Sequence, residues 1–177
     1  MSVVSRRRVS IVVGDIVEQQ VDAVVNAANT AMRPGGGVDG AITRAAGASA
    51  LADRERLIAE RGTPPLPTGI AVVGSGGDLP ARWIVYTAGP IYSGSPDEAR
   101  LLGASYSACL AAAGEIGARS IAFPAISCGT YGYPLDEAAP IAITALLGTD
   151  AGPLDVRMVL IDEATAQVFR RALGART

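Results

Sequence analysis

Short apolar runs alternate along the chain with longer segments in which apolar and polar positions mix. The short runs lie at residues 9–13, 21–26, 71–73, 83–87, 120–124 and 156–161. They are rich in valine and isoleucine and favour strands buried on both faces of a sheet. The longer segments favour helices at residues 39–61 with a break near 47, 96–117, 135–147 and 165–173. This alternation predicts a three-layer α/β/α sandwich around a central, largely parallel (mixed) six-stranded sheet.

One domain accounts for the whole chain. A fold of 177 residues buries roughly 70% of the surface that its unfolded chain exposes, so we expect a single domain over residues 1–177. No apolar run approaches the ~20 residues of a membrane-spanning helix, and no membrane partner is expected. Gly14 and Asp15 interrupt the run at 9–13, so a first strand explains it better than a secretion signal.

Composition removes several kinds of chemistry. The chain has no histidine, and all 15 of its basic residues are arginine. It therefore lacks Ser-His and Cys-His nucleophile pairs, histidine-bound metals, a Walker lysine and a Schiff-base lysine. Cys109 and Cys128 make neither a disulfide framework nor a zinc quartet, so we expect no metal and a reducing, cytoplasmic environment. The net charge of −2 argues against general nucleic-acid binding.

The loops that follow the predicted strands carry most of the polar and glycine-rich residues. These loops begin at Asp15, Asn26, Thr87, Ala125 and Ile161. The carboxyl ends of parallel strands share one edge of a sheet, and ligands bind at that edge. The loops therefore predict one site, whose chemistry rests on carboxylates, amides, backbone N–H groups or the substrate itself.

The densest of these loops runs from Asn26 to Gly40. Two asparagines leave the strand, three glycines follow, and Asp39 opens the next helical segment. Backbone without side chains can approach a ribose or phosphate closely, and N–H groups at the start of a helix attract anions. Three glycines alone would more simply be a flexible surface loop. Beside Asn26, Asn29 and Asp39, they favour a sugar-phosphate site.

Asp39 and Asn29 each have two interpretations. The sequence alone favours Asp39 as the N-cap of its helix. Alternatively it orients a water molecule, because the helix dipole keeps the carboxylate ionised and weakly basic. Asn29 either positions a ribose hydroxyl or caps a turn.

The spacing of Gly35, Gly37 and Gly40 matches the dinucleotide fingerprint, but the context does not. That fingerprint turns tightly from strand to helix and needs an acid about 20 residues later, at the end of the next strand. Here eight residues separate Asn26 from Gly35, and no acid ends the next strand at 71–73. A Rossmann fold is therefore not expected.

A second glycine-containing loop spans Ser127 to Gly132. Its glycine N–H groups and the hydroxyls of Ser127 and Thr130 suit a pyrophosphate. Tyr131 either covers a sugar in the groove or packs in the core. Cys128 is expected to be a packing residue, because the chain offers no base to activate a thiol.

Together these segments resemble the macrodomains, within them the MacroD-type branch of ADP-ribosyl hydrolases and O-acetyl-ADP-ribose deacetylases. The matching segments are residues 14–16, 26–29, 35–47, 86–90 and 125–134, so the likeness covers nearly the whole chain. The resemblance implies the same sandwich fold and ADP-ribose as the ligand. It also implies metal-free and cofactor-free hydrolysis of ADP-ribose esters, with O-acetyl-ADP-ribose and Glu- or Asp-linked ADP-ribosylated proteins as substrates.

The resemblance also implies roles for individual residues. Asp15 would accept from the adenine amino group, with the backbone of Ile16 also contacting the base, and residues 127–132 would hold the diphosphate. Asn29 and Asp39 would be catalytic, Asn29 orienting the distal ribose and Asp39 the water. The implied substrate-binding set is Asp15, Ile16, Asn26, Ala27, Gly35, Gly36, Gly37, Val38, Ser127, Cys128, Gly129, Thr130, Tyr131 and Ile161.

Two positions depart from the family pattern. Thr43 stands where this branch usually carries histidine, and Ile161 stands where many macrodomains place an aromatic over the adenine. Loss of that stacking costs about 1 kcal/mol, so we expect moderate affinity. A reader module that binds ADP-ribose without cleaving it remains the alternative. A phosphatase acting on an ADP-ribose phosphate ester is the weakest reading.

Overall fold

Strands and helices alternate in the computed structural model, which describes residues 7–149, 152–153 and 155–176. The strands are β1 Arg8–Val13, β2 Ala23–Ala27, β3 Ala71–Ser75, β4 Trp83–Thr87, β5 Ser120–Phe123 and β6 Asp155–Leu160. The helices are α1 Gly37–Glu60, α2 Asp97–Glu115, α3 Leu135–Leu147 and α4 Glu163–Gly174, and a 3-10 turn spans Ile16–Glu18. None of the described helices is long and apolar enough to cross a membrane.

All of these strands pair in one sheet of order β1-β6-β5-β2-β4-β3. Every pairing is parallel except that of β3 with β4. The sheet is thus mixed and largely parallel, and the carboxyl ends of its five parallel strands share one edge. The predicted fold class is confirmed.

Helices cover both faces of the sheet. On one face α2, α3 and α4 pack onto a core that contains Leu102, Tyr106, Phe123 and Phe169. On the other face α1 packs onto β2 and β4 through Ile42 and Ala46. Burial of these side chains drives the layers together, at roughly 1.5–3 kcal/mol for each large apolar residue.

Helix α1 starts earlier than the sequence suggests and bends where it suggests. Gly36 is the N-cap and Gly37 the first helical residue, so Asp39 lies in the first turn and the N-cap interpretation is wrong. The bend is at Gly47, whose φ of 77° is non-helical. A Cβ on Gly47 would overlap the Asp78 carboxylate, so glycine is needed here both for its conformation and for its size.

Candidate functional site

A cleft of about 240 Å³ opens at the carboxyl edge of the sheet. The loop after β2 and the start of α1 form one wall, and the loop after β5 forms the other. The residues that line it are Ala27, Ala28, Asn29, Gly35, Gly36, Gly37, Val38, Asp39, Gly89, Ala125, Ser127, Gly129, Thr130 and Tyr131. The two glycine-rich loops thus face each other across one cleft.

Asn29 holds the loop after β2 closed. Its Oδ1 accepts from the N–H of Arg33 at 3.1 Å, and its Nδ2 donates to the carbonyl of Arg33 at 2.7 Å. The side chain is therefore a turn cap, as one of its two interpretations proposes. A primary amide has two N–H groups and two acceptor sites. One of each remains for a ribose hydroxyl.

The carboxylate of Asp39 is buried, with 4% of the residue exposed. Its Oδ1 accepts from Asn26 Nδ2 at 2.9 Å, Thr43 Oγ1 at 3.1 Å and Arg54 Nη1 at 2.6 Å. Its Oδ2 accepts from the Gly35 N–H at 3.1 Å and Arg54 Nη2 at 3.0 Å. A carboxylate offers about four lone-pair positions, so five donors saturate it.

Asp39 is held in its ionised form. Burial by itself would raise its pKa, but hydrogen bonds from Arg54 and Asn26, the charge of Arg54 and the Gly35 N–H outweigh burial. The net effect lowers the pKa below its usual value. Asp39 is therefore charged at neutral pH and is a weak proton acceptor.

Arg54 is the partner that sequence reasoning missed. It is 1% exposed and pairs with Asp39 through both terminal nitrogens. Its guanidinium also lies 5.0 Å from the centre of the Tyr86 ring. A signal was present: Ala46, Ala50 and Arg54 recur every four residues, which places an arginine on the buried stripe of α1.

Asn26 lies behind the cleft wall. It is fully buried, and its Nδ2 donates to Asp39. Among the described residues, its Oδ1 finds no hydrogen-bond partner. Asn26 thus orients Asp39 and does not itself line the cleft.

On the opposite wall, Ser127 has a positive φ of 66° and a buried hydroxyl with no partner among the described residues. Gly89 packs directly against it, because a Cβ on Gly89 would overlap Ser127 Oγ. Buried polar groups are nearly always hydrogen-bonded. The free hydroxyl in the cleft wall therefore suits a polar ligand.

The rest of this loop offers donors to the same space. Gly129, Thr130 and Tyr131 line the cleft, and their N–H groups donate to no acceptor within the described part of the chain. Successive free N–H groups form an anion-binding concavity. Tyr131 lies in the cleft wall and belongs to neither apolar core, which favours its sugar-covering interpretation.

Cys128 lies outside the lining of the cleft. It is half-buried, its Sγ is 3.5 Å from the carbonyl oxygen of Ile126, and burial raises its pKa to about 11. The thiol is therefore protonated at neutral pH, as expected of a packing residue.

Asp15, Ile16 and Ile161 lie at the same sheet edge but outside the lining of this cleft. The ends of β1 and β6 are joined by the Gly14 N–H, which donates to Leu160 O at 2.9 Å. Asp15 caps the 3-10 turn by accepting from the Val17 N–H at 3.1 Å, Ile16 is buried, and Ile161 is 88% exposed. In the strand order, β5 and its loop lie between this group and Asn29.

Three residues of the cleft wall are absent from the set implied by sequence: Ala28, Gly89 and Ala125. Each lies beside a predicted loop residue, and its side chain has no polar group that would indicate a binding role. Within the described residues, no group of three or more Asp, Glu or Cys side chains is placed to hold a metal ion.

Sequence comparison gives one family and several relatives. The model of the Macro domain family matches residues 25–142. A macro domain-containing protein of Streptomyces coelicolor is 45% identical over 166 residues, which are 94% of this chain and 98% of that protein. An O-acetyl-ADP-ribose deacetylase of Klebsiella pneumoniae is 46% identical over 170 residues, covering 93% of this chain and 95% of the relative.

Solved structures share the fold over nearly the whole chain. A mutant of the Oceanobacillus iheyensis macrodomain with ADPR has a TM-score of 0.87 at 40% identity, covering 95% of this chain and 92% of that one. A Trypanosoma brucei macrodomain in complex with ADP-ribose has a TM-score of 0.79 at 31% identity, and the match covers 94% of this chain and 69% of that one.

Proposed function

This chain belongs to the macro domain family, and we propose that it binds ADP-ribose in the cleft and hydrolyses ADP-ribose esters there. The observation that carries the proposal is the meeting of two glycine-rich walls at one sheet edge. One wall holds the Asn29 amide and the start of α1, and the other holds the unpartnered Ser127 hydroxyl. Related proteins named O-acetyl-ADP-ribose deacetylase support the same chemistry.

The diphosphate is proposed to lie between the walls. Residues 129–131, with their unpaired N–H groups, line the cleft on one side, and the N-terminus of α1 at Gly37 lines it on the other. Free N–H groups and the helix dipole both favour an anion at this point. The distal ribose then lies at Asn29, and the adenine lies across the β5 loop near Asp15 and Ile161.

The proposed substrates are esters, namely O-acetyl-ADP-ribose and proteins carrying ADP-ribose on Glu or Asp. The cleft offers amides, hydroxyls and backbone N–H groups and no strong general acid. When water attacks the anomeric carbon, the bond from that carbon to the ester oxygen breaks and the carboxylate leaves as a stable anion without a proton or a Lewis acid, so an ester at that carbon suits such a site. We propose that hydrolysis needs neither metal nor cofactor.

In this proposal Asn29 orients the distal ribose through its free N–H and lone pair. Asp39 keeps a negative charge beside the Gly35 N–H. The prediction that Asp39 also orients the attacking water requires that water to share a carboxylate oxygen that already accepts hydrogen bonds.

One observation favours a second function. The five donors that saturate Asp39 leave no vacant site on its carboxylate for a water. This arrangement suits a reader module that binds ADP-ribose without cleaving it.

Two measurements on the purified protein separate these functions. We expect saturable binding of free ADP-ribose in a calorimetric titration, and release of acetate from O-acetyl-ADP-ribose above the uncatalysed rate. Binding without acetate release would establish the reader function, and no binding would overturn both. Asn29→Ala is expected to lower the hydrolysis rate at least tenfold, and Arg100→Ala, at an exposed position of α2, is the control.

A further inference from the structure

A single buried guanidinium is linked to two points of the loop that forms the ribose side of the cleft. Arg54 Nε donates to the carbonyl oxygen of Met32 at 2.6 Å. Its two terminal nitrogens donate to Asp39, which in turn accepts from the Gly35 N–H. Residues 32 and 35 are therefore fixed to one side chain that lies 22 residues along the chain from Met32.

The loop needs such a constraint because its backbone is strained. Met32 has a φ of 53° and is completely buried. A left-handed conformation at a non-glycine residue is unfavourable and persists only where surrounding contacts enforce it. The hydrogen bond from Arg54 to the Met32 carbonyl is one such contact. A second is the pair of hydrogen bonds between the Asn29 side-chain amide and the backbone of Arg33.

The positive charge of Arg54 is also needed to keep the buried Asp39 carboxylate ionised. A buried carboxylate without a paired cation is strongly unfavourable, and arginine matches it in a two-point pair. Arg54 also donates to Thr43 Oγ1 at 3.1 Å, and Thr43 donates to Asp39. Thr43, Asp39 and Arg54 thus form one closed network.

We propose that Arg54 is the positioning residue of the site, holding the 29–36 loop and the Asp39 carboxylate in the arrangement that receives the distal ribose. It acts through Asp39 and Met32, since its own side chain is almost inaccessible. The proposal rests on the proposed function for its ligand. The hydrogen bonds of Arg54 to Asp39 and Met32 are the same whichever ester is cleaved.

The test compares Arg54→Met with wild type by calorimetric titration of ADP-ribose between pH 5 and 8. Besides Arg54, the titratable groups linked to Asp39 within the described residues are Tyr86 on β4, which interacts with Asp39 and Arg54, and Asp53 on α1, which interacts with Tyr86. Tyr86 stays neutral because burial raises its pKa to about 12. Asp53 is held ionised, because hydrogen bonds from the Ser75 N–H and Arg56 lower its pKa despite burial.

For wild type we expect an affinity that changes little over this range. For Arg54→Met we expect at least tenfold weaker binding at pH 7, with a further loss as the pH falls and the unpaired Asp39 takes up a proton. Arg54→Lys should keep the flat pH profile but recover the affinity only in part. Arg56→Met, on the exposed side of the same helix, is the matched control and should behave as wild type.

The charge-neutral double variant Asp39→Asn/Arg54→Met separates positioning from folding. We expect it to unfold at a higher denaturant concentration than Arg54→Met while its affinity for ADP-ribose stays at least tenfold below wild type. Recovery of both properties, or wild-type affinity and pH profile in Arg54→Met, would overturn the proposal.

Hydrogen exchange at the Gly35 amide distinguishes failure of this inference from failure of the proposed function. If wild type does not bind ADP-ribose, the proposed function fails. Faster exchange of the Gly35 N–H in Arg54→Met, with core amides of β2 unchanged, still supports the positioning role. Unchanged exchange at Gly35 would overturn it.

Discussion

At the scale of single residues, the site depends on which polar groups are satisfied and which are not. The Asp39 carboxylate has every lone pair in use, whereas the Ser127 hydroxyl has no partner among the described residues. Asn29 lies between these extremes, with half of its capacity free. Asp39, with its satisfied carboxylate, holds the architecture, whereas Ser127 and Asn29 bring unpaired polar atoms to the lining of the cleft.

Asp39 couples stability to pH. Its lowered pKa means that its contribution to stability is fully present above the unfolded-state pKa, about 3.9, and is lost as the pH falls through the lower folded-state pKa. We expect the free energy of unfolding attributable to this group to be constant from pH 7 to about pH 5 and to fall below about pH 4. Urea denaturation of wild type and Asp39→Asn/Arg54→Met at several pH values measures it. Identical pH profiles for the two proteins would contradict this assignment.

Asp39→Ala should destabilise the fold as well as the site. It leaves the Arg54 guanidinium buried without a counter-charge, which costs about 3–5 kcal/mol. Thermal or urea unfolding checks this value. A cost near 1 kcal/mol, typical of losing a helix cap, would mean that the ion pair contributes little.

Ser127→Ala should separate binding from stability. The hydroxyl has no partner within the described chain, so its removal should leave the free energy of unfolding unchanged within about 0.5 kcal/mol. Binding of ADP-ribose should weaken by about 0.5–1.5 kcal/mol, the contribution of one hydrogen bond. If stability falls and affinity does not, the hydroxyl has a structural role instead.

At the scale of elements, one wall of the cleft is built where two strand-to-helix loops approach closely. The loops after β4 and β5 meet at Gly89, where a Cβ would overlap the side chains of Ser127 and Ile126. On the other side, α1 begins at Gly37 only after the loop that Arg54 fixes. The helices supply the rigid positions, and the loops supply the ligand contacts.

Gly89→Ala tests this close approach. The added methyl must displace the Ser127 side chain or separate the two loops, and small-to-large changes in packed sites cost about 1–3 kcal/mol. We expect lower stability together with at least tenfold weaker ADP-ribose binding. Gly62→Ala, where a Cβ meets nothing within 4 Å, is the control and should alter neither. Normal binding of ADP-ribose by Gly89→Ala would show that binding does not depend on the present position of Ser127.

At the scale of the whole molecule, the strand order predicts how an elongated ligand lies across the sheet. Asp15 and Ile161 follow β1 and β6, the neighbouring strands at one side of the sheet, and Asn29 follows β2, with the β5 loop between them. ADP-ribose would therefore run along the carboxyl edge, with adenine beside β1 and β6.

Substitutions in the loops after β1 and β6 test this orientation. Asp15→Ala should weaken the binding of ADP-ribose by about 1.5–3 kcal/mol, the range for a hydrogen bond to a charged group. Ile161→Tyr should tighten binding by about 0.5–1.5 kcal/mol through stacking on the base. Unchanged affinities in both titrations would mean that the adenine lies elsewhere.

The sequence was enough to predict the sheet, because buried parallel strands read as valine-rich runs and their loops gather at one edge. It was enough to place Asn29 and Ser127 in the cleft for the same reason. It did not predict the Asp39–Arg54 pair, because an arginine 15 residues away gives no local signal of its partner, and aspartate at a helix start usually indicates a cap. Which charges pair over such a distance depends on how helix α1 packs, and the local sequence does not show that packing.

The proposed ester hydrolysis is tested by comparing two ADP-ribosylated proteins, one modified on glutamate and one on arginine, with EDTA present. We expect release of ADP-ribose from glutamate, because the carboxylate departs as a stable anion when water attacks the anomeric carbon. We expect no release from arginine, whose strongly basic guanidine needs a proton as it leaves, since the lining of the cleft has no strong acid to supply one. Efficient release from arginine, or no release from glutamate while the protein is folded and binds ADP-ribose, would overturn the proposed function.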